Sequence, residues 1–157
     1  MGLERSGVSA AGFRFAVVVT RWNEVFTSRL ASGAAEALQD ADAVETFHVP
    51  GAFELPLACL RAAESARFDA VIALGVVIRG DTPHFDYVAG QTAAGIMQAS
   101  MQTGVPVMFG VITADNVEQT EARCQPGADN KGYEAAVSAI EMAHLMREMR
   151  AASIKGI

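Results

Sequence analysis

Two cysteines, one tryptophan and no apolar run of bilayer-spanning length set the first limits on this sequence. Cys59 and Cys124 lie far apart and lack metal-type spacing, so both read as plain thiols. The longest apolar run, Ala70 to Ile78, falls far short of the ~20 residues that cross a membrane. No basic-then-apolar leader precedes Phe13, and together with the unpaired cysteines this points to a cytoplasmic protein. Basic residues are scarcer than acidic ones, 12 against 18, for a net charge of −6. That balance argues against nucleic acid and membrane as partners, and an anionic substrate would have to be met by local arginines or backbone amides. Internal repeats and low-complexity segments are also missing.

What is present is a chain of 157 residues, 51% hydrophobic and 19% charged, enough for one globular domain with a sizeable core. Residues 1–12, rich in Gly, Ser and Ala without periodicity, read as a flexible arm, and residues 13–157 as the domain. Phe13 to Thr20 reads as a strand, and Phe26, Leu30, Ala34 and Leu38 then recur at helical spacing. Val44 to Val49 is a second strand closed by Pro50-Gly51, and Leu55 to Ala66 a helix with Pro56 in its first turn. Val71 to Ile78 is a third strand, buried on both faces, followed by a helix from Pro83 to Thr103 and a strand from Val105 to Thr113. A short helix over Asn116 to Arg123 follows the capping-box-like Asp115-x-x-Glu118, and Lys131 to Arg150 forms the last helix. Strands alternating with helices predict a three-layer α/β/α sandwich of flavodoxin-like type, with a four-stranded parallel sheet covered on both faces. Trp22 follows the first strand, Ala52 to Glu54 the second and Asp81 to His84 the third, and Phe109 lies within the fourth, so four strand ends are expected to meet at one crevice.

The most informative stretch is Gly75-Val76-Val77-Ile78-Arg79-Gly80-Asp81-Thr82-Pro83-His84-Phe85-Asp86-Tyr87-Val88. A buried strand ends, Gly80 lets the chain turn, and Thr82-Pro83 reads as an N-cap followed by the first helical residue. The free amides of Asp81 and Thr82 would then face the carboxyl end of the sheet, where a helix dipole favours phosphate. His84 would sit beside that anion, and the positive helix end disfavours imidazolium, keeping the ring able to accept a proton.

This stretch resembles the signature of the lumazine synthase family, enzymes of riboflavin biosynthesis. Arg21-Trp22-Asn23, Val49-Pro50-Gly51-Ala52-Phe53-Glu54-Leu55-Pro56, Gly104-Val105-Pro106-Val107 and Asn130-Lys131-Gly132 extend the likeness over roughly residues 13 to 149. The resemblance implies condensation of 5-amino-6-ribitylaminouracil with 3,4-dihydroxy-2-butanone 4-phosphate to 6,7-dimethyl-8-ribityllumazine, a transferase reaction without metal or organic cofactor. It implies His84 as proton shuttle. Trp22, Asn23, Ala52, Phe53, Glu54, Val76, Val77, Ile78, Phe109 and Lys131 are implied around the pyrimidine and ribityl chain, the valines and isoleucine acting through their backbone. Gly80, Asp81, Thr82 and Arg123 are implied at the phosphate, with Arg123 and Phe109 reaching a neighbouring subunit's site.

Blander roles stand beside these. An indole after a strand serves a core as readily as a heterocycle, although the family places an aromatic, more often phenylalanine, at the position of Trp22. Glu54 suits a helix start, Arg123 a helix end, and Phe109 a core. His48 and His144 lack motif context and read as structural. Asp81 would oppose a phosphate unless its carboxylate points away. The resemblance further implies a homopentamer, in many members assembled into an icosahedral shell, with riboflavin synthase as a possible partner. Gln125-Pro126-Gly127-Ala128-Asp129 departs from the Gly-x-Lys-x-Gly pattern of many shell formers, so a pentamer is the expectation. A lumazine- or flavin-binding carrier, or a shell protein with a vestigial pocket, is the alternative on the same fold.

Overall fold

In a computed structural model, which describes residues 7–155, four parallel strands stand in the order β2-β1-β3-β4. They are β1 (Arg14–Thr20), β2 (Ala43–Val49), β3 (Ala70–Ile78) and β4 (Val107–Ala114). Between them run α1 (Glu24–Ala37), α2 (Leu55–Glu64) and α3 (His84–Thr103), and α4 (Val117–Ala122) and α5 (Lys131–Lys155) follow β4. A short 3-10 turn, Ala52–Glu54, leads into α2. This is the expected flavodoxin-like three-layer sandwich. The reversal in strand order falls between β1 and β3, which pair from Phe15↔Ala70 to Val19↔Leu74, and open α/β sheets place ligands beyond the carboxyl ends of such strands.

The alternation of side chains along the two central strands builds two cores. Phe15, Val17, Val19, Ile72 and Leu74 face α1 and α5, packing on Leu30, Ala34 and Ile140, whereas Ala16, Val18, Val71 and Ala73 face α2 and α3, packing on Leu55, Cys59 and Ile96. Every residue of β3 but the last is buried, which is why it reads as an unbroken apolar run. Burial pushes the Cys59 thiol up to about 12.

Asn130 joins α1 and α5 with the segment that follows α4. Its side chain, 1% exposed, donates to the carbonyls of Arg29 (3.2 Å) and Cys124 (3.0 Å) and accepts from the amides of Gly132 (2.8 Å) and Tyr133 (3.1 Å). It thereby caps α5 and ties that helix to α1. Gly132 lies so close to the Leu30 carbonyl that a Cβ there would overlap it.

Several boundaries differ from the sequence expectation. The third helix begins at His84 rather than Pro83, so Pro83 and not Thr82 holds the N-cap position, without a side-chain cap, and Thr82 Oγ1 accepts from the His84 amide only at 3.4 Å. α2 stops at Glu64, two residues early, because Ala66 takes a left-handed φ of 59°. α4 is capped by Asn116, whose Oδ1 accepts from the Gln119 amide at 2.9 Å, and not by Asp115, whose carboxylate is drawn to Arg79. β4 starts at Val107, and α5 runs on past Arg150 to Lys155.

The first twelve residues were expected as a flexible arm. Residues 1–6 lie outside the described residues, but 9–12 are held against the fold. Ser9 Oγ donates to Asp40, the Gly12 amide donates to Asp42, and Ala10 is fully buried. From α5, His144 Nε2 donates to the Ser9 carbonyl at 2.7 Å and Arg147 to that of Gly12 at 3.0 Å, while the Arg147 guanidinium lies 3.7 Å from the centre of the Phe13 ring. His144 thus has a structural role.

Candidate active site

A cavity of about 520 Å³ opens beyond the carboxyl ends of β1, β2 and β3, within the size range of small-molecule sites. Each of the three strands supplies one wall through the turn that follows it.

After β1, the Arg21 and Trp22 amides continue the sheet pairing by donating to the carbonyls of Val49 (2.8 Å) and Pro50 (3.0 Å). This fixes the backbone of Trp22 while its indole, 65% exposed, lies at the cavity's edge. The ring rests on Gly51, where a Cβ would overlap it. Asn23 then takes a left-handed conformation (φ 62°, ψ 40°), which asparagine tolerates better than most residues, and its Nδ2 donates to the Val76 carbonyl at 3.4 Å. That contact links the first wall to the third.

After β2, the turn Gly51 to Glu54 closes on itself. Glu54 Oε2 accepts the Gly51 amide at 3.0 Å, and the Gly51 carbonyl accepts the Glu54 amide at 3.2 Å. The carboxylate therefore serves the turn itself, which exposes the Phe53 ring and buries Ala52. The third wall is Val76, Val77 and Ile78 with His84 from the first turn of α3. One turn along that helix, Tyr87 and Val88 also line the cavity, and Thr20 lies at the end of β1. Thr20, Gly51, Tyr87 and Val88 were missed in the sequence, although the i, i+3, i+4 spacing of His84, Tyr87 and Val88 carried the signal for two of them.

The loop Gly80 to Thr82 joins the third wall to His84 and is exposed throughout. Arg79, for which the sequence suggested no role, stands behind it. Its Nε donates to Asp115 Oδ1 (2.9 Å), its Nη1 to Asp86 Oδ1 (3.3 Å), and its guanidinium lies 4.3 Å from the Phe85 ring centre. The hydrogen bond to Asp115 foremost, with Asp86 adding to it, raises the pKa of this guanidinium above its ordinary value.

The expectation of four converging strand ends needs correction. Phe109 is the third residue of β4, paired with Ala73, and with Lys131 lines a different crevice of about 300 Å³. Lys131 Nζ is held there by Glu134 Oε2 at 3.0 Å. Arg123 lies outside both hollows, exposed at the end of α4, with Nη1 donating to the Gln119 carbonyl at 2.9 Å. One chain thus brings together Trp22, Asn23, Ala52, Phe53, Glu54, Val76, Val77, Ile78 and His84, and leaves Phe109, Arg123 and Lys131 apart. Among the described residues no cluster of His, Cys, Asp and Glu could hold a metal ion, and no helix is long and apolar enough to cross a membrane.

Among solved structures, a GDP-L-fucose synthetase from Naegleria fowleri bound to NADP is 15% identical, with a TM-score of 0.43 over 99% of this chain and 51% of that one. The chain spans about half the length of that protein. Residues 12–147 match the family model described as 6,7-dimethyl-8-ribityllumazine synthase.

Proposed function

Since the chain belongs to the 6,7-dimethyl-8-ribityllumazine synthase family, we propose that it condenses 5-amino-6-ribitylaminouracil with 3,4-dihydroxy-2-butanone 4-phosphate. The products are 6,7-dimethyl-8-ribityllumazine, phosphate and water, in the penultimate step of riboflavin biosynthesis. The observation that carries this assignment is the cavity itself, in which His84 shares one hollow with two exposed aromatic rings and the Gly51 to Glu54 turn.

In this scheme the pyrimidine stacks on Trp22 and meets the backbone of Val76 to Ile78, and the ribityl chain lies along Ala52 to Glu54. The amides of Gly80 to Thr82, ahead of the α3 dipole, receive the phosphate. The substrate amine attacks the ketone directly, so holding two molecules together supplies most of the acceleration. His84 moves protons between the amine, the two departing waters and the phosphate. The reaction calls for no metal and no organic cofactor.

Arg123, Phe109 and Lys131 complete the site of a neighbouring chain in a homopentamer. Exposed Trp22, Phe53, Tyr87 and Phe109, together with Met97 and Met101 on α3, supply apolar surface of the kind that subunit contacts cover. Two unpaired, buried cysteines fit a cytoplasmic location.

Purified protein mixed with both substrates should form lumazine, followed by its absorbance, and release phosphate faster than the uncatalysed control. Background-rate formation with intact pyrimidine binding would overturn the assignment and favour a carrier on the same fold. Light scattering should give the mass of five chains.

A further inference from the structure

The loop that would receive the phosphate has little of its own to hold it. Gly80, Asp81, Thr82 and Pro83 are all exposed, and no atom lies within 4 Å of the place a Cβ would occupy on Gly80. What borders the loop is Arg79. Its amide donates to the Ala114 carbonyl at 2.8 Å, prolonging the pairing of β3 with β4. Its guanidinium then spans from Asp115, ahead of α4, to Asp86 in the first turn of α3, whose amide in turn donates to the Pro83 carbonyl at 3.0 Å. Phe85 backs the planar group. Three anchors at fixed angles suit a guanidinium and not an ammonium.

The contacts continue beyond Asp115. Its amide donates to Gln119 Oε1 at 2.8 Å, and the Gln119 carbonyl accepts from Arg123 Nη1 at 2.9 Å. One string of hydrogen bonds therefore runs from the 80–83 loop to the arginine at the end of α4. The side chains of Arg79, Asp86 and Asp115 are 45%, 64% and 64% exposed, and ion pairs at that exposure add little to stability. Their effect lies in orientation and charge, because without Arg79 two further carboxylates, besides that of Asp81, would stand uncompensated near an anion.

We infer that Arg79 is a positioning residue for phosphate recognition, setting the amide loop of its own chain's site and the Arg123 side chain offered to the next. The inference rests on the proposed condensation. It does not make Arg79 a substrate contact, since its guanidinium is taken up by Asp115, Asp86 and the Phe85 ring.

The test compares wild type with Arg79→Met, Arg79→Lys and Asp115→Asn, varying each substrate in turn. Arg79→Met should raise the KM for the butanone phosphate about tenfold and weaken competitive inhibition by inorganic phosphate equally, as a shifted binding group does. Pyrimidine affinity should stay within about twofold, and the melting temperature within about 3 °C. Arg79→Lys should recover part of the loss. Arg79→Met combined with Asp115→Asn should lose no more than Arg79→Met alone, because the same contact is removed twice. An active wild type with unchanged phosphate terms in Arg79→Met overturns the role of Arg79 and leaves the reaction standing. Equal losses on both substrates with a lowered melting temperature overturn it in favour of a structural role. A wild type without turnover overturns the reaction, and this inference with it.

Discussion

Gly51→Ala separates the aromatic platform from the fold that carries it. The backbone at Gly51 is extended (φ −140°, ψ −178°), a conformation alanine adopts freely, so the substitution introduces no backbone strain. The two hydrogen bonds between Gly51 and Glu54 use main-chain atoms of residue 51 and survive. The new methyl, however, would lie 2.6 Å from Cζ3 and 3.3 Å from Cδ2 of Trp22. Backbone pairing holds Trp22 in place, so the indole has to swing away, which its exposure permits. Unfolding free energy should therefore change by less than about 1 kcal/mol. A lost ring-on-ring stack is worth roughly 0.5–1.5 kcal/mol, which makes pyrimidine binding about two- to twelvefold weaker. Trp22 is the only tryptophan, so quenching of intrinsic fluorescence by the pyrimidine reads the effect directly. Unchanged affinity with unchanged emission would refute the stacking role, and a collapse in melting temperature would show that glycine serves the fold there.

His84→Ala should slow lumazine formation by up to about a hundredfold in initial-rate assays while pyrimidine affinity holds, and an unchanged rate would remove its role as proton shuttle. Arg123→Ala should weaken the phosphate substrate by at least about tenfold through loss of a charged hydrogen bond, seen as a rise in its KM alone. Asn130→Ala strands one buried and one partly buried carbonyl and removes the α5 cap, at about 3 kcal/mol, or a melting temperature roughly 6–12 °C lower by calorimetry. Cys59 has a folded pKa of about 12 against 9.0 when exposed, so the unfolded chain loses that proton first. Its contribution is complete below pH 9 and is lost as pH rises toward 12, by roughly 4 kcal/mol, measurable as a falling urea midpoint.

The sheet was legible because burial on both faces writes β3 as one β-branched run, and because proline and glycine mark the turns that follow β2 and β3. Helix ends were less so. Asp115 and Asn116 are both good caps, and the choice between them is made by Arg79, which lies 36 residues before Asp115 in the chain. A pairing over that separation leaves no local trace. The tail past Arg150 carries helix-compatible residues and no breaker before Gly156, so α5 continues where the motif likeness had already ended. Phe109 stands third in β4, opposite Ala73, well short of the carboxyl end beyond which the turns of the other three strands meet. His84 and the turn at Glu54 were found through their motifs, whereas Gly51 matters as a missing side chain beneath Trp22, which only the folded arrangement displays.

The chain holds three asparagines, and each stands at the start of a helix. Asparagine ages when the next residue's backbone nitrogen closes on its side-chain carbonyl and expels ammonia. At Asn130 that route is shut, since the Lys131 nitrogen already donates to the Arg123 carbonyl at 2.9 Å and the amide is held by four partners. Asn23, exposed and held by a single 3.4 Å side-chain contact, has no such guard. Of these two, deamidation would thus reach the cavity wall and spare the joint between α1 and α5, so that stored protein is altered at its site before it loses its shape.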